Sequence, residues 1–333
     1  MSTFTQICPP APTFTEAQLL DLWGKVYLIT GATSGVGLEL AKILYSFHAI
    51  VYIGARSLAR YEEASTSITA AHPTSKGELR PFIADLSSLS SVKNAIPSFL
   101  ESTYRLDVLF LNAGVMTPPA GSKTADGYDL EMGVNCLSTF LLVSRLTPLM
   151  STISAHYCHA NPSIRVVYVS SLLNFSTPDG GVQFDDPTNH PKQLKGMENY
   201  MQSKAALFLL AQEFSRRQKR SETDEHGLPN RNPHAVLHVA LNPGLMKTEL
   251  QRHVPPPMRA VMGAVLKGPK YGAYTELYAG LAPDVRDGDY VIPWGRKGEV
   301  PVHILESTRA KDGDRSVGSR FYDWCEEQVR PFI

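Results

Sequence analysis

The sequence predicts an α/β fold, a single domain on a doubly wound parallel sheet with substrate-covering elements toward its C-terminal end. Three observations carry this expectation. Short apolar runs recur along the chain, helix-compatible stretches separate them, and a glycine-rich turn joins the first run to the first of those helices. Buried strands alternating with helices are the pattern of right-handed βαβ crossovers, in which helices cover both faces of the sheet.

Taken in order, KVYLIT (25–30) reads as the first strand, followed by GATSGVG and the helical run LELAKILYSF. AIVYIG (49–54) is the second strand, with a helix near 57–71, and LRPFIA (79–84) the third, with a helix near 88–103. LDVLFL (106–111) precedes a long helical pattern from about 126 to 149. SIRVVYVS (163–170), a helix over 199–217 and AVLHVAL (235–241) complete the alternation. Each strand candidate is short and rich in branched or aromatic residues, as buried strands require. The charged stretch Arg216–Asn232 reads as a surface insertion, and the Pro-rich stretch 254–272 as a ligand-covering loop beyond the sixth strand. The organisation expected is a leader over 1–23, the domain proper over 24–295, and an extension over 296–333 packed on the same domain.

Composition bounds the function. The 333 residues carry 32 Lys+Arg against 32 Asp+Glu, so no net field favours nucleic acid or an anionic membrane, and a small molecule is the expected partner. Cys8, Cys136, Cys158 and Cys325 are too dispersed for a C-x-x-C or Cys/His metal pattern, and the histidines form no H-E-x-x-H set. Reduced thiols and a cytoplasmic location fit. No apolar run approaches the roughly 20 residues that span a bilayer, so no integral membrane segment is expected.

The turn TGATSGVG places Gly31, Gly35 and Gly37 between a buried strand and a helix N-terminus. Glycine lets backbone approach a pyrophosphate, and the helix start offers free N–H groups and a favourable dipole. This is the Rossmann-type arrangement, although the spacing differs from G-x-G-x-x-G. A tight turn without a ligand is the alternative. Further along, ENYMQSK sets Tyr200 and Lys204 four positions apart, about 6 Å if helical and on one face. Alone, such a pair is as readily a half-buried aromatic beside a solvated lysine.

Together these motifs resemble the short-chain dehydrogenase/reductase family, whose glycine motif T-G-x-x-x-G-x-G is matched by Thr30, Gly31, Gly35 and Gly37. The matches continue with Asp85-Leu86, Asn112-Ala113-Gly114, Asn135, Ser170-Ser171, Tyr200 to Lys204, and Pro243-Gly244, over residues 24 to 295. The long Ser171-to-Tyr200 interval and the segments VIPWG (291–295) and FYDWCEEQ (321–328) are similar to the retinol-dehydrogenase-like branch and to reductases of fungal secondary metabolism. Those segments read equally as surface packing.

The resemblance implies an NADP(H)-dependent oxidoreductase that transfers hydride between NADPH and a ketone or aldehyde, or the corresponding alcohol. The implied catalytic set is Asn135, Ser171, Tyr200 and Lys204. Tyr200 is the acid, Lys204 favours its phenolate and hydrogen-bonds the nicotinamide ribose, Ser171 orients the carbonyl, and Asn135 holds a relay water. Ser170 is the alternative serine, because strand alternation sends the adjacent pair to opposite sides. Asn135 reads also as a helix-interior polar residue satisfied by backbone.

The implied cofactor set is Thr30, Gly31, Ser34, Gly35, Val36, Gly37, Arg56, Ser57, Asp85, Leu86, Asn112, Ala113, Gly114, Tyr200, Lys204, Pro243, Gly244, Leu245 and Thr248. Asp85 reads equally as a helix N-cap, and Pro243 to Thr248 as a plain turn and helix start. The second strand ends in Arg56 with no carboxylate before Glu62, and a cation there suits a ribose 2′-phosphate, so NADP(H) is expected over NAD(H). Ser57 adds a hydroxyl donor.

The Met- and Val-rich stretch within 254–266 suggests an amphipathic lid over an apolar small molecule, polycyclic frameworks included, or else a surface helix. The long helices are the candidate faces for a homo-oligomer. An isomerase or cyclase on the same scaffold, or a cofactor sensor without turnover, are the competing functions.

Overall fold

The structure, a computed structural model, describes residues 4–157, 163–185, 190–221, 236–247, 266–310 and 315–333. Its centre is an eight-stranded sheet in the order β10-β9-β8-β5-β4-β1-β2-β3. The strands are β1 (Val26–Ile29), β2 (Ile50–Ala55), β3 (Glu78–Ile83), β4 (Val108–Leu111), β5 (Arg165–Val169), β8 (Leu237–Leu241), β9 (Tyr290–Ile292) and β10 (Arg296–Gly298). A separate two-stranded ribbon joins β6 (Phe184–Asp185) to β7 (His190–Pro191). Every pairing in the large sheet is parallel except β10 with β9. β1, β4, β5 and β8 are buried along their whole length, which explains why they read as continuous apolar runs. Pro81 lies in β3, an edge strand, where its missing N–H leaves no gap inside the sheet.

After a short helix α1 (Phe4–Ile7), the helices are α2 (Gly35–Ser46), α3 (Leu58–Ala71), α4 (Leu89–Ser102), α5 (Ser138–Tyr157), α6 (Met197–Ser221), α7 (Pro269–Leu281), α8 (Val302–Glu306) and α9 (Val317–Val329). Two apolar clusters fill the molecule. One lies among α4, α5, α6 and α9, and the other among α2, α3 and α7.

Several elements differ from the sequence reading. The fourth helix runs over 130–157 instead of 126–149: Asp126 to Asp129 form a turn, and Met132–Leu137 is a stretch of π-helix leading into α5. α6 extends to Ser221, so the charged segment begins as helix, with Arg216 and Arg217 paired to Glu213. The helix Met132–His156 is long and apolar enough, by length and composition, to cross a membrane, contrary to the expectation. In its most apolar 18-residue window 61% is buried, and a core helix covered by sheet and neighbours carries apolar residues all round.

Neither VIPWG nor FYDWCEEQ is surface packing. Trp294 is buried, and Phe321, Tyr322, Trp324 and Cys325 of α9 enter the first cluster. Tyr322 stacks edge-on against Phe140 of α5 and Phe214 of α6, with Arg217 over its ring at 3.8 Å. The chain's own C-terminal helix therefore covers part of the surface expected to pair with a second copy. The N-terminal stretch is also anchored: Gln6 is buried and accepts from Asn242, and Glu16 pairs with Lys270. Cys8, Cys136 and Cys325 are free thiols.

Asp107 ties the start of β4 to β1. Its buried carboxylate accepts from the Val26 amide at 2.9 Å, from Lys25 Nζ at 3.2 Å and from Arg105 Nε and Nη2 at 2.7 and 2.8 Å. Removing it takes this acceptor from the buried Val26 amide and breaks the pairs with Lys25 and Arg105. Asp107→Ala is expected to lose about 3 kcal/mol in urea denaturation, with Asp107→Asn falling between it and the wild type. Equal stability of all three would refute this role.

Candidate active site

The β1–α2 turn is held from below. Asn112 Nδ2, at the end of β4, donates to the carbonyls of Thr30 and Gly31 at 2.9 and 3.3 Å, and the Ala113 amide donates to Thr30 Oγ1 at 3.0 Å. Gly31 has φ +66°, a conformation side chains disfavour. A Cβ on Gly37 would sit 2.5 Å from Asn112 Nδ2 and 2.8 Å from the Gly31 carbonyl, so only glycine allows this close crossing. Ser34 is the N-cap of α2 but makes no side-chain cap, and the first turn holds no acidic residue. The free N–H groups of this twelve-residue helix consequently open into a cavity, which suits a pyrophosphate.

That cavity measures about 780 Å³ and runs along the carboxyl ends of the strands. Thr30, Gly31, Ser34, Gly35 and Val36 line it, as do Arg56, Asp85, Leu86, Asn112, Ala113, Gly114, Pro243, Gly244 and Leu245. Ser170, Ser171, Tyr200 and Lys204 form part of its wall. Gly37 is the packing glycine behind the turn, and Ser57 is the N-cap of α3, its hydroxyl oxygen accepting from the Arg60 amide. Asp85 is not a helix N-cap. Its carboxylate accepts from the amide and hydroxyl of Ser87, while Ser88 caps α4. Thr248 and the lid stretch 254–265 lie outside the described residues.

On α6, Tyr200 and Lys204 stand as the spacing predicts, with Nζ 5.8 Å from the phenol ring centre. Both are buried. Burial raises the Tyr200 phenol above its ordinary value; a hydrogen bond with Ser171 works against this, and the Glu131 charge adds to it. Lys204 Nζ also donates to the Val169 carbonyl at 2.8 Å. Burial also lowers Lys204, to about 8, against the attraction of Cys136, Glu276 and Glu131.

The serine pair separates as alternation requires. Ser170 is fully engaged, donating to the Lys204 carbonyl at 2.6 Å and accepting from Asn174 at 2.9 Å, whereas Ser171 meets the phenol. Asn135 sits within the π-helical turn, a distortion common at functional sites. It donates to the Val115 carbonyl and Ser203 Oγ and accepts from the Val115 amide. A Cβ on Gly114 would lie 3.2 Å from both Asn135 Oδ1 and Lys204 Nζ, so Gly114 is where these two side chains converge.

Sequence reasoning missed three charged residues here. Arg60 lines the cavity beside Arg56 and could be found one helical turn beyond it. Buried Glu131, which accepts from the Thr117 amide and Asn199, and buried Glu276, on α7, carried no local signal.

A doubly wound sheet with a glycine turn opening on a cavity at its carboxyl edge is the class of fold that takes dinucleotides. The chain belongs to the short-chain dehydrogenase/reductase family. A family model described as short chain dehydrogenase matches residues 25–182. A short-chain dehydrogenase/reductase of Phomopsis amygdali is 41% identical over 100% of this chain and 97% of its own length. One of Neocamarosporium betae is 35% identical over 100% of this chain and 94% of its own. Among solved structures, an uncharacterised protein of Mycobacterium paratuberculosis has a TM-score of 0.67 at 24% identity, covering 95% of this chain and 97% of its own. The NADP complex of Pseudomonas aeruginosa RhlG has a TM-score of 0.59 at 22% identity, covering 81% and 95%. Family membership supports NAD(P)-dependent oxidoreductase activity.

Proposed function

We propose that this protein is an NADP(H)-dependent reductase of ketones or aldehydes on apolar small molecules, polycyclic frameworks included, of the kind made in secondary metabolism. The observation that carries the reading is the meeting of Tyr200, Ser171 and Lys204 on one wall of a cavity whose other end holds the glycine turn and Arg56. When bound, the nicotinamide supplies or accepts the hydride. Tyr200 donates the proton to the carbonyl oxygen as negative charge develops there, and Ser171 holds that oxygen in line with the phenol. Lys204 holds positive charge beneath both, and Asn135 fixes the backbone of Val115 that shapes this wall. Val115, Met116, Leu130, Leu172, Leu173 and Met197 line the same cavity, which supports an apolar substrate.

Arg56 and Arg60 support NADP(H). Arg56 directly follows β2 and Arg60 lies in the first turn of α3; both are exposed, both line the cavity, and a guanidinium fork matches phosphate oxygens. Arg56→Ala is expected to weaken NADPH about tenfold while changing NADH less than twofold, as one charge-assisted contact implies. Fluorescence titration of both cofactors measures this, and equal losses would remove Arg56 from the role. A panel of apolar and polar carbonyls tests the substrate class: turnover confined to polar sugars would reject it, and conversion without net NADPH consumption would favour an isomerase.

A further inference from the structure

Glu276 occupies the buried face of α7, among Ala273, Leu277 and Gly280, where an apolar residue would be the ordinary choice. It is fully buried, yet neither carboxyl oxygen has a hydrogen-bond partner among the described residues. A buried polar group without a partner is costly, so its retention calls for a partner supplied from outside the chain. Glu276 lines the cofactor cavity, so such a partner has access. Burial raises its carboxyl to about 8, with Lys204 the one charge that acts against this, so near neutral pH it offers a donor as well as an acceptor.

We propose that Glu276 is a cofactor-contacting residue whose carboxyl hydrogen-bonds a polar group on the nicotinamide half of the bound dinucleotide. This rests on the reading that the cavity takes NADP(H). Its place at the nicotinamide end follows from how α7 packs: a Cβ on Gly272, one turn before Glu276, would lie 3.1 Å from Met246 in the segment after β8, beside β5 and the Tyr200 wall, whereas Arg56 follows β2 beyond β4 and β1. The mutual influence of Glu276 and Lys204 agrees with this. The carboxamide and the adjoining ribose hydroxyls are the polar groups of that half, and each can meet a carboxyl.

The test compares wild type, Glu276→Gln and Glu276→Leu for affinity to NADPH and to 2′,5′-ADP, which lacks the nicotinamide half, with thermal melts to establish folding. Gln keeps a donor and an acceptor in the same shape, whereas Leu has neither. Expected are NADPH affinities within about threefold of wild type for Gln and weaker by about tenfold for Leu, the order of one lost hydrogen bond, with 2′,5′-ADP unchanged in both. A Leu variant that melts higher and binds NADPH as well as wild type would show a carboxyl without a ligand and overturn the proposal. Equal losses for NADPH and 2′,5′-ADP would overturn its assignment to the nicotinamide half. Folded wild-type protein that binds neither would instead bring down the dinucleotide reading, and this inference with it.

Discussion

Tyr200→Phe is expected to lower carbonyl turnover by about three orders of magnitude while leaving NADPH affinity within about threefold of wild type. The phenol ring is buried and packed, so its shape and most of its contacts survive the change. What is lost is the hydroxyl that meets Ser171. Burial keeps this phenol protonated well beyond neutral pH, which is the form that reduction of a carbonyl consumes. The reverse reaction needs the phenolate, so alcohol oxidation should be the slower direction at pH 7 and gain as pH rises. Single-turnover kinetics with NADPH, alongside a fluorescence titration, separate the two quantities. Wild-type turnover in the variant would assign the proton to another group; a parallel loss of NADPH binding would make Tyr200 a packing residue of the cavity.

Lys204→Met is the second large effect, and it acts in opposite directions on stability and activity. Folding brings this ammonium from its ordinary value near 10.5 to about 8, chiefly through burial. At about 1.4 kcal/mol for each pH unit, the charged lysine costs the folded state about 3 kcal/mol at pH 7, offset by about 1 kcal/mol for its bond to the Val169 carbonyl. Methionine removes both, so the variant should be more stable by about 2 kcal/mol at pH 7. The sign is fixed by proton binding. Between pH 8 and 10.5 the unfolded lysine is protonated and the folded one is not, so wild-type stability rises across that window and the variant's advantage disappears. Turnover should fall at least a hundredfold, because no cation then remains beneath the phenol and carbonyl. Urea denaturation at pH 7 and pH 10, with initial rates at pH 7, checks both parts. A variant less stable than wild type at pH 7 would mean the lysine is held in place by more than it costs.

Both effects arise from the same few residues, and the sequence made them visible unequally. The six principal strands were legible because β1, β4, β5 and β8 are buried on both faces and so are continuously apolar, and the turn was legible because close crossings demand glycine. The Tyr200–Lys204 neighbourhood followed from helical spacing alone, and 5.8 Å agrees with it. Strands β9 and β10 were too short to show a period, and the π-helical turn at Asn135 leaves no mark in a pattern of apolar residues.

Hydropathy and spacing are local, so the sequence by itself determined the fold class, the family and many of the residues that line one cavity. Only the tertiary structure decided which serine faces the phenol, that Ser57 caps a helix, and that α9 covers α5 and α6. It alone decided that the phenol is held protonated and that Glu276, 72 positions from Lys204, enters the same site. Those facts depend on which side chains remain without water and which partners meet across the sheet, and burial is set by contacts between elements far apart in the chain.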